Sequence, residues 1–255
     1  VSYPQLLAVT IGYSTLWFII AQWLKRNDVA DVAWGMGFVL LAWLSFLAST
    51  WSAKSLLVTG LVTLWGMRLS IHLFLRVKSS TEDFRYRTWR EQWKHVALRS
   101  YLQVFLLQAC LLFVVALPVI HINKTSPEFS PSDLAGVLLW AVGFAVQTLS
   151  DAQLKKFKSN PAKRGKLLTT GVWRISRHPN YLGEALMWWG IYLLAAPDWN
   201  NAWWLVISPV LITYLLRYVS GVPLLEKKYE GRPDFEAYKA STPVFFPCKL
   251  FLRKP

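Results

Sequence analysis

The sequence predicts an all-α integral membrane protein of about seven transmembrane helices, and three observations carry that prediction. Of the 255 residues 54% are hydrophobic and 15 are tryptophan, more apolar surface than one soluble core of that size can bury. The apolar residues collect in runs of about 20, enough for a helix to cross the hydrocarbon of a bilayer. Lysine and arginine collect between alternate runs, as the positive-inside rule demands.

The runs lie at 4–24, 30–49, 55–75, 97–120, 132–150, 183–197 and 202–219. The first lacks a basic segment before it and a small-residue cleavage site after it, so it reads as a spanning helix and not as a signal peptide. The sixth is short and begins in a polar segment, which predicts a helix that tilts or starts below the interface. If the loops after helices one, three, five and seven face the cytoplasm, they and the flanking helix ends hold every basic residue except Lys54, Lys124 and Arg68. The N-terminus is then outside and the C-terminus cytoplasmic. Trp51, Trp199 and Trp203 fall at the outer boundary, where an indole keeps its ring among headgroups and its N–H in water. Residues 1–255 read as a single membrane domain with cytoplasmic loops 76–99 and 151–182 and a cytoplasmic tail, 220–255. A pocket enclosed by one bundle needs no partner, so a monomer is expected.

The formal charge of +14 raises nucleic acid as a partner, but a nucleic-acid binder carries its charge on a soluble face. Here the charges alternate with apolar runs, and a membrane surface explains them. Cys110 and Cys248 are the only cysteines, which indicates neither a disulfide framework nor a zinc site. No metal is expected.

Two cytoplasmic stretches carry the chemistry. The first, Arg76 to Arg99, contains Glu82-Asp83-Phe84-Arg85-Tyr86-Arg87; its plain reading is a solvated, salt-bridged loop against the membrane. The second, DAQLKKFKSNPAKRGKLLTTGVWRISRHPNYLGE, runs from Asp151 to Glu184, and its early part would serve positive-inside anchoring alone. Yet Lys155, Lys156, Lys158, Lys163, Arg164, Lys166, Arg174 and Arg177 exceed what topology needs and suit a polyanionic ligand. Gly165 and Gly171 let the backbone turn and approach a ligand. After Pro179, helical spacing can project Asn180, Tyr181 and Glu184 into one neighbourhood. Neither GxGxxG nor GxxxxGK[ST] is present, so a dinucleotide would not be held in a Rossmann or P-loop manner.

The segments GVWRISRHPNYLGEALMWWG, DAQLKKFK, SGVPLLEKKYEGRPDFEAYKASTPVFFP, RNDVADVAWG and EDFRYRTWR together resemble bacterial membrane proteins of unknown function related to the steroid 5-alpha-reductases. The resemblance covers most of the chain. It implies a seven-helix reductase of the bacterial inner membrane that binds NADPH from the cytoplasm and reduces a carbon–carbon double bond conjugated to a ketone in a lipophilic substrate, as in 3-oxo-Δ4 steroids. By position, Asn180, Tyr181 and Glu184 match residues that hold the nicotinamide end of the cofactor. Asp151 matches the acid before the basic loop, with Gln147 where the reductases commonly have asparagine and Lys158 and Lys166 where they have arginine. Arg174, Arg177 and His178 belong to the same motif, Arg85 corresponds to an arginine on the adenosine side, and Arg217 to one on the last helix. The reductases present a glutamate and a tyrosine to the substrate carbonyl; Asp31 stands near the first, and Leu73, with His72 beside it, stands at the second.

The chemistry the resemblance implies can be stated in this chain's residues. Hydride addition to an enone develops enolate charge on the carbonyl oxygen, so a donor there lowers the barrier where water is excluded. Asp31, kept neutral by burial, is one candidate donor; its plain alternative is a cap or salt bridge with Lys25 or Arg26. His72 and Arg68 lie one turn apart and could pair with that carboxylate, and Tyr86 could donate if its loop folds back. The competing enzyme class is the S-adenosylmethionine-dependent membrane methyltransferases of the isoprenylcysteine carboxyl and phospholipid types, which share RHP-x-Y and an acidic tail residue, here Glu226. A lipid-binding, non-enzymatic protein is the third reading, and it leaves Asn180, Tyr181 and Glu184 unexplained.

Overall fold

A computed structural model describes residues 1–195 and 202–246, and among them every regular element is helical. Helices α1 (Tyr3–Leu24), α2 (Val29–Leu47), α3 (Ala53–Ser79), α5 (Val96–Thr125) and α6 (Asp133–Lys158) are long and apolar enough to cross a membrane, as is the segment Trp203–Tyr229. That makes six candidate spans among the described residues. The sixth predicted run falls in α7, described over Pro179–Ala195. Helix α4 (Phe84–Gln92) is short and polar, and the last span comprises a 3₁₀ turn, α8 (Ile207–Tyr214), a π-helical turn (Leu215–Val219), and α9 (Val222–Glu226) after a bend at Ser220–Gly221. The tail adds α10, Pro233–Ser241. Trp51 and Trp203 are exposed; Trp199 lies outside the described residues.

The chain divides into two compact units, one of Val1–Pro131 with Leu194–Ser208, the other of Ser132–Leu193 with Pro209–Pro255. In the first unit α1 starts from Ser2, whose hydroxyl caps Gln5 while Gln5 caps Ser2 in return, satisfying donors that a helix start leaves open. Lys25 ends it in the left-handed conformation, φ 54°. Helices α2 and α3 cross backbone to backbone at Gly35 and Gly66: a Cβ on Gly35 would sit 2.6 Å from the Gly66 carbonyl oxygen. Buried Asn123 of α5 ties three helices together, its Nδ2 donating to Ala42 O at 3.0 Å, Ser45 Oγ at 2.9 Å and Thr59 Oγ1 at 3.2 Å. Such amides satisfy each other where lipid offers no partner.

In the second unit α6 and α7 approach in the same small-residue manner. A Cβ on Gly143 would lie 2.5 Å from the Gly183 carbonyl oxygen, and one on Gly190 2.7 Å from that of Gly136. The connection between them is anchored at Trp173, whose indole donates to Ser150 O at 3.2 Å, and at Gln153, whose Oε1 accepts the Val172 amide at 3.1 Å. Gly171, φ 64°, turns the chain there. The positive φ disfavours any side chain there, and an added Cβ would also push the Gln153 amide, 2.4 Å away, off its contact with Val172.

Candidate functional site

In the first unit the polar sequence around Glu82 folds onto the α1–α2 turn. Asp83 starts α4, accepting the Arg85 amide at 3.1 Å and Arg85 Nε at 3.0 Å, and it also takes the Arg76 guanidinium. Asp28 binds Arg26 through two contacts of 2.8 Å and accepts the Asp83 amide at 2.9 Å. Glu82 accepts the Asn27 amide at 2.6 Å and Arg90 Nη2 at 2.9 Å. Asn27 Nδ2 in turn donates to Ser100 Oγ at 2.8 Å. This mesh delivers two side chains to Asp31 in the first turn of α2. Arg85 Nη2 donates to Asp31 Oδ2 at 3.0 Å, and the Tyr86 hydroxyl donates to Asp31 Oδ1 at 2.6 Å.

Tyr86 is buried among Ala21, Val29, Ala30, Val104 and Phe105, with the Trp89 ring edge-on at 5.5 Å. Gln108 of α5 reaches the same phenol. Burial, then the Asp31 charge, push the Tyr86 hydroxyl well above the ordinary phenol value, with Arg85 offsetting part of the rise. It stays protonated. Arg85 is held above its usual value: burial opposes its charge, but Asp31 and Asp83 outweigh burial. Burial presses the Asp83 carboxyl upward, and its bonds to Arg85 with the charges of Arg85 and Arg76 more than reverse this, leaving it below the ordinary carboxylate value.

In the second unit the run Ser176-Arg177-His178 is strapped to the tail. Arg177 Nε and Nη2 donate to the Glu226 carboxylate at 2.9 and 3.3 Å, and its Nη1 donates to Thr242 O at 2.6 Å and Lys239 O at 3.3 Å. His178 Nε2 lies 2.9 Å from Glu226 Oε1, and its ring stacks on Tyr181 with centroids 5.7 Å apart. Backbone bonds Arg177 N to Pro243 O and His178 N to Val244 O, the Ser176 hydroxyl on Val244 O, and the Tyr238 hydroxyl on Trp173 O close the strap. Past it, the first turns of α7 present Asn180, Tyr181 and Glu184. Gln147 Nε2 donates to buried Glu184 at 3.2 Å. The Asn180 Oδ1 is buried and accepts no hydrogen bond, which a native fold seldom leaves without a reason.

The structure thus brings together Asp31, Arg85 and Tyr86, and separately Gln147 with Glu184 and His178 with Tyr181. Asp31 Oδ1 accepts from the Tyr86 phenol and Oδ2 from Arg85 Nη2, so Tyr86 stands as a candidate donor directly beside the Asp31 carboxyl. Two placements differ from expectation. Arg85, expected against adenosine, is spent on Asp31 and Asp83. Arg177 and His178, expected on the cofactor, hold Glu226 and the tail. His72 is half-buried on α3, and the partners of Asp31 come from α4 instead. Asp151 is half-buried near the end of α6; Lys158 in its last turn, Lys166 and Arg174 are exposed; Arg217 places its guanidinium 4.9 Å over the Tyr218 ring. Sequence reasoning missed Asn27, Asp28, Glu82, Asp83, Gln108 and Ser100 as supports. The alternation of acid and base in Glu82-Asp83-Phe84-Arg85 was the available signal for a charge mesh.

Fold and site define a membrane-embedded protein, helical throughout its described residues, with a carboxylate–phenol pair in one unit and a strapped, polar helix start in the other. The profile of a family described as a protein of unknown function, DUF1295, matches residues 17–242, and the chain belongs to that family. An uncharacterized protein of Schizosaccharomyces pombe is 24% identical over 278 residues, covering 95% of this chain and 78% of that protein. A probable O-methyltransferase of Ustilaginoidea virens, ustE, is 34% identical over 73 residues, 28% of this chain and 26% of its own length. No solved structure matches significantly.

Proposed function

We propose that this protein is an NADPH-dependent reductase that saturates the carbon–carbon double bond of an enone in a lipophilic substrate, with its site opening to the cytoplasm of a bacterial inner membrane. The observation that carries the reading is the Asp31–Tyr86 pair. The steroid reductases that the sequence resembles set a carboxylate and a phenol before the carbonyl; here α3 carries Leu73 instead of tyrosine, and α4 supplies the phenol.

The residues of α7 suit such a nucleotide. The buried Asn180 Oδ1 calls for a donor such as a primary amide N–H, and the exposed Lys158 and Lys166 offer charge to phosphate as point donors. Bound NADPH would supply the hydride, and a proton completes the saturated ketone. As negative charge grows on the carbonyl oxygen, the Tyr86 phenol donates to it, the substrate oxygen replacing Asp31 as its acceptor. Asp31 orients the phenol beforehand and Arg85 fixes Asp31, so the donor is preorganised and costs little rearrangement. General acid help of this kind contributes about 10²–10⁴ in rate.

A second reading, an S-adenosylmethionine-dependent methyltransferase, is favoured by the partial likeness to ustE. Against it stands Glu226, the tail acid that reading requires, already engaged by Arg177 and His178. Equilibrium binding of NADPH, NADH and S-adenosylmethionine to purified protein separates the two, followed by NADPH oxidation with a 3-oxo-Δ4 steroid and with a smaller enone. Binding of the methyl donor alone would overturn the reductase.

A further inference from the structure

Helices α6 and α7 run antiparallel, and the small residues that let them touch also fix their register. A Cβ on Gly183 would lie 2.7 Å from the Gln147 backbone nitrogen, and one on Gly143 would lie 2.8 Å from that of Met187. In an antiparallel pair of right-handed helices the residue that follows each contact residue turns to the same flank. Thr148, following Gln147, therefore shares a flank with Glu184, following Gly183, and with Asn180 one turn before Glu184. Gln147 Nε2 reaches across the pair to Glu184 there, at 3.2 Å. At 1.5 Å per residue from the level where Gln147 meets Gly183, Thr148 and Asn180 are offset by only about 3 Å along the helices.

The two residues share a second property. Thr148 Oγ1 and Asn180 Oδ1 are both buried without a hydrogen-bond partner, although each residue as a whole is only half-buried. For the threonine this is a departure from the rest of the chain. Thr10, Thr15, Thr63, Thr125 and Thr213 each donate to the carbonyl four residues earlier, at 2.6 to 2.9 Å, the usual recourse of a hydroxyl inside a helix. Thr148 forgoes that bond, and burying an unpaired hydroxyl works against stability. One of these atoms belongs to a donor and the other is an acceptor. A primary carboxamide carries the complementary acceptor and donor side by side.

We infer that Thr148 is a nucleotide-binding residue, its hydroxyl donating to the carboxamide oxygen of the nicotinamide while Asn180 Oδ1 accepts from the carboxamide N–H. This rests on the reductase reading and adds to it a contact from α6 for the reacting end of the cofactor. The test titrates purified protein calorimetrically with three probes: NADPH; its 3-acetylpyridine analogue, which keeps the carbonyl but has a methyl group in place of the amide nitrogen; and 2′-phospho-ADP-ribose, which lacks the ring. Thr148→Val keeps the branch at Cβ and removes the hydroxyl. It should weaken NADPH and the acetyl analogue alike by about tenfold, the worth of one hydrogen bond, and leave 2′-phospho-ADP-ribose unchanged. The Tm of the nucleotide-free protein should stay equal or rise, because an unpaired polar group has been deleted. Thr148→Ser should bind as wild type does, Thr148→Ala gives the same comparison where valine does not fit, and Asn180→Leu should erase the preference for NADPH over the acetyl analogue. NADPH affinity equal to wild type in Thr148→Val and Thr148→Ala, or a lowered Tm with affinity undiminished, would overturn this assignment and leave the reductase reading standing. Failure of the wild type to bind NADPH would overturn both.

Discussion

Tyr86 has one hydroxyl proton and donates it in a hydrogen bond to Asp31 at 2.6 Å, so on the proposed reading its removal has a defined signature. Tyr86→Phe keeps the ring packed against Ala21, Val29 and Phe105 and deletes only the donor. Enone reduction should fall by about 10²-fold or more while the NADPH dissociation constant stays within a factor of about two, a split that single-turnover kinetics and binding titration measure separately. Unchanged turnover would remove Tyr86 from the chemistry. Asp31→Asn should also leave cofactor binding intact, and since it loosens the phenol and leaves Arg85 with Asp83 as its remaining carboxylate, it should cost about 1–3 kcal/mol of stability, read as a lowered Tm. At this scale the sequence was a partial guide. Asp31, Tyr86 and Arg85 were each identifiable as ionisable or donor groups out of place in a plain loop. Their union was not, because it joins residues more than fifty apart through a mesh in which backbone amides of Asn27 and Asp83 take part, and side-chain type does not announce a backbone donor.

Helix α4 is held by charge as well as by the apolar seat of Tyr86 and Trp89. Its anchor, Asp83, has a carboxyl below its ordinary value because Arg85 and Arg76 overcome the effect of burial. A folded pKa below the unfolded one contributes stability that is present above the unfolded value, about 4, and is lost as pH falls through the folded value. Thermal melts taken from neutral to acid pH should therefore show wild type and Asp83→Asn well separated at pH 6 and converging below about pH 4; parallel curves would show that Asp83 carries no linked charge. The α6–α7 pair has a different fastening. Gly143→Val should lower Tm by the cost of overpacking, about 1–3 kcal/mol or more, because its Cβ has only 2.5 Å to the Gly183 carbonyl, whereas Gly60→Ala, inside α3 with nothing within 4 Å, should leave Tm unchanged or raise it, by up to about 1 kcal/mol of helix propensity. Apolar run lengths made these helices legible nearly to their ends. They left out the polar extensions of α3 to Ser79 and α6 to Lys158, since hydropathy stops at the interface while the Arg-, Lys- and Gln-rich turns remain good helix formers.

Across the whole molecule, the asymmetry of lysine and arginine gave an orientation, and cysteine accessibility labelling checks it: single cysteines in 76–99 and 155–166 should react from the same face, and one beside Lys124 from the other. Labelling of the two loops from opposite faces would contradict that topology. Six helices meet the length and hydropathy of a crossing among the described residues, in keeping with the bundle of about seven read from the sequence; α7 begins at a strapped polar motif, and its apolar run, 183–197, reaches beyond the described residues. The strap itself was not legible in the sequence: the partners of Arg177 and His178, which are Glu226 and the carbonyls of Lys239 and Thr242, lie some fifty to sixty residues on, where nothing in local spacing points back. On the proposed reading the polar start of α7 serves a phosphorylated hydride donor. The most direct test is the binding of NADPH and S-adenosylmethionine to the same purified preparation. Saturable NADPH binding is expected, weakened by Lys158→Gln or Lys166→Gln more than NADH binding is, and none for the methyl donor; saturable S-adenosylmethionine binding with no NADPH binding would contradict the reductase reading.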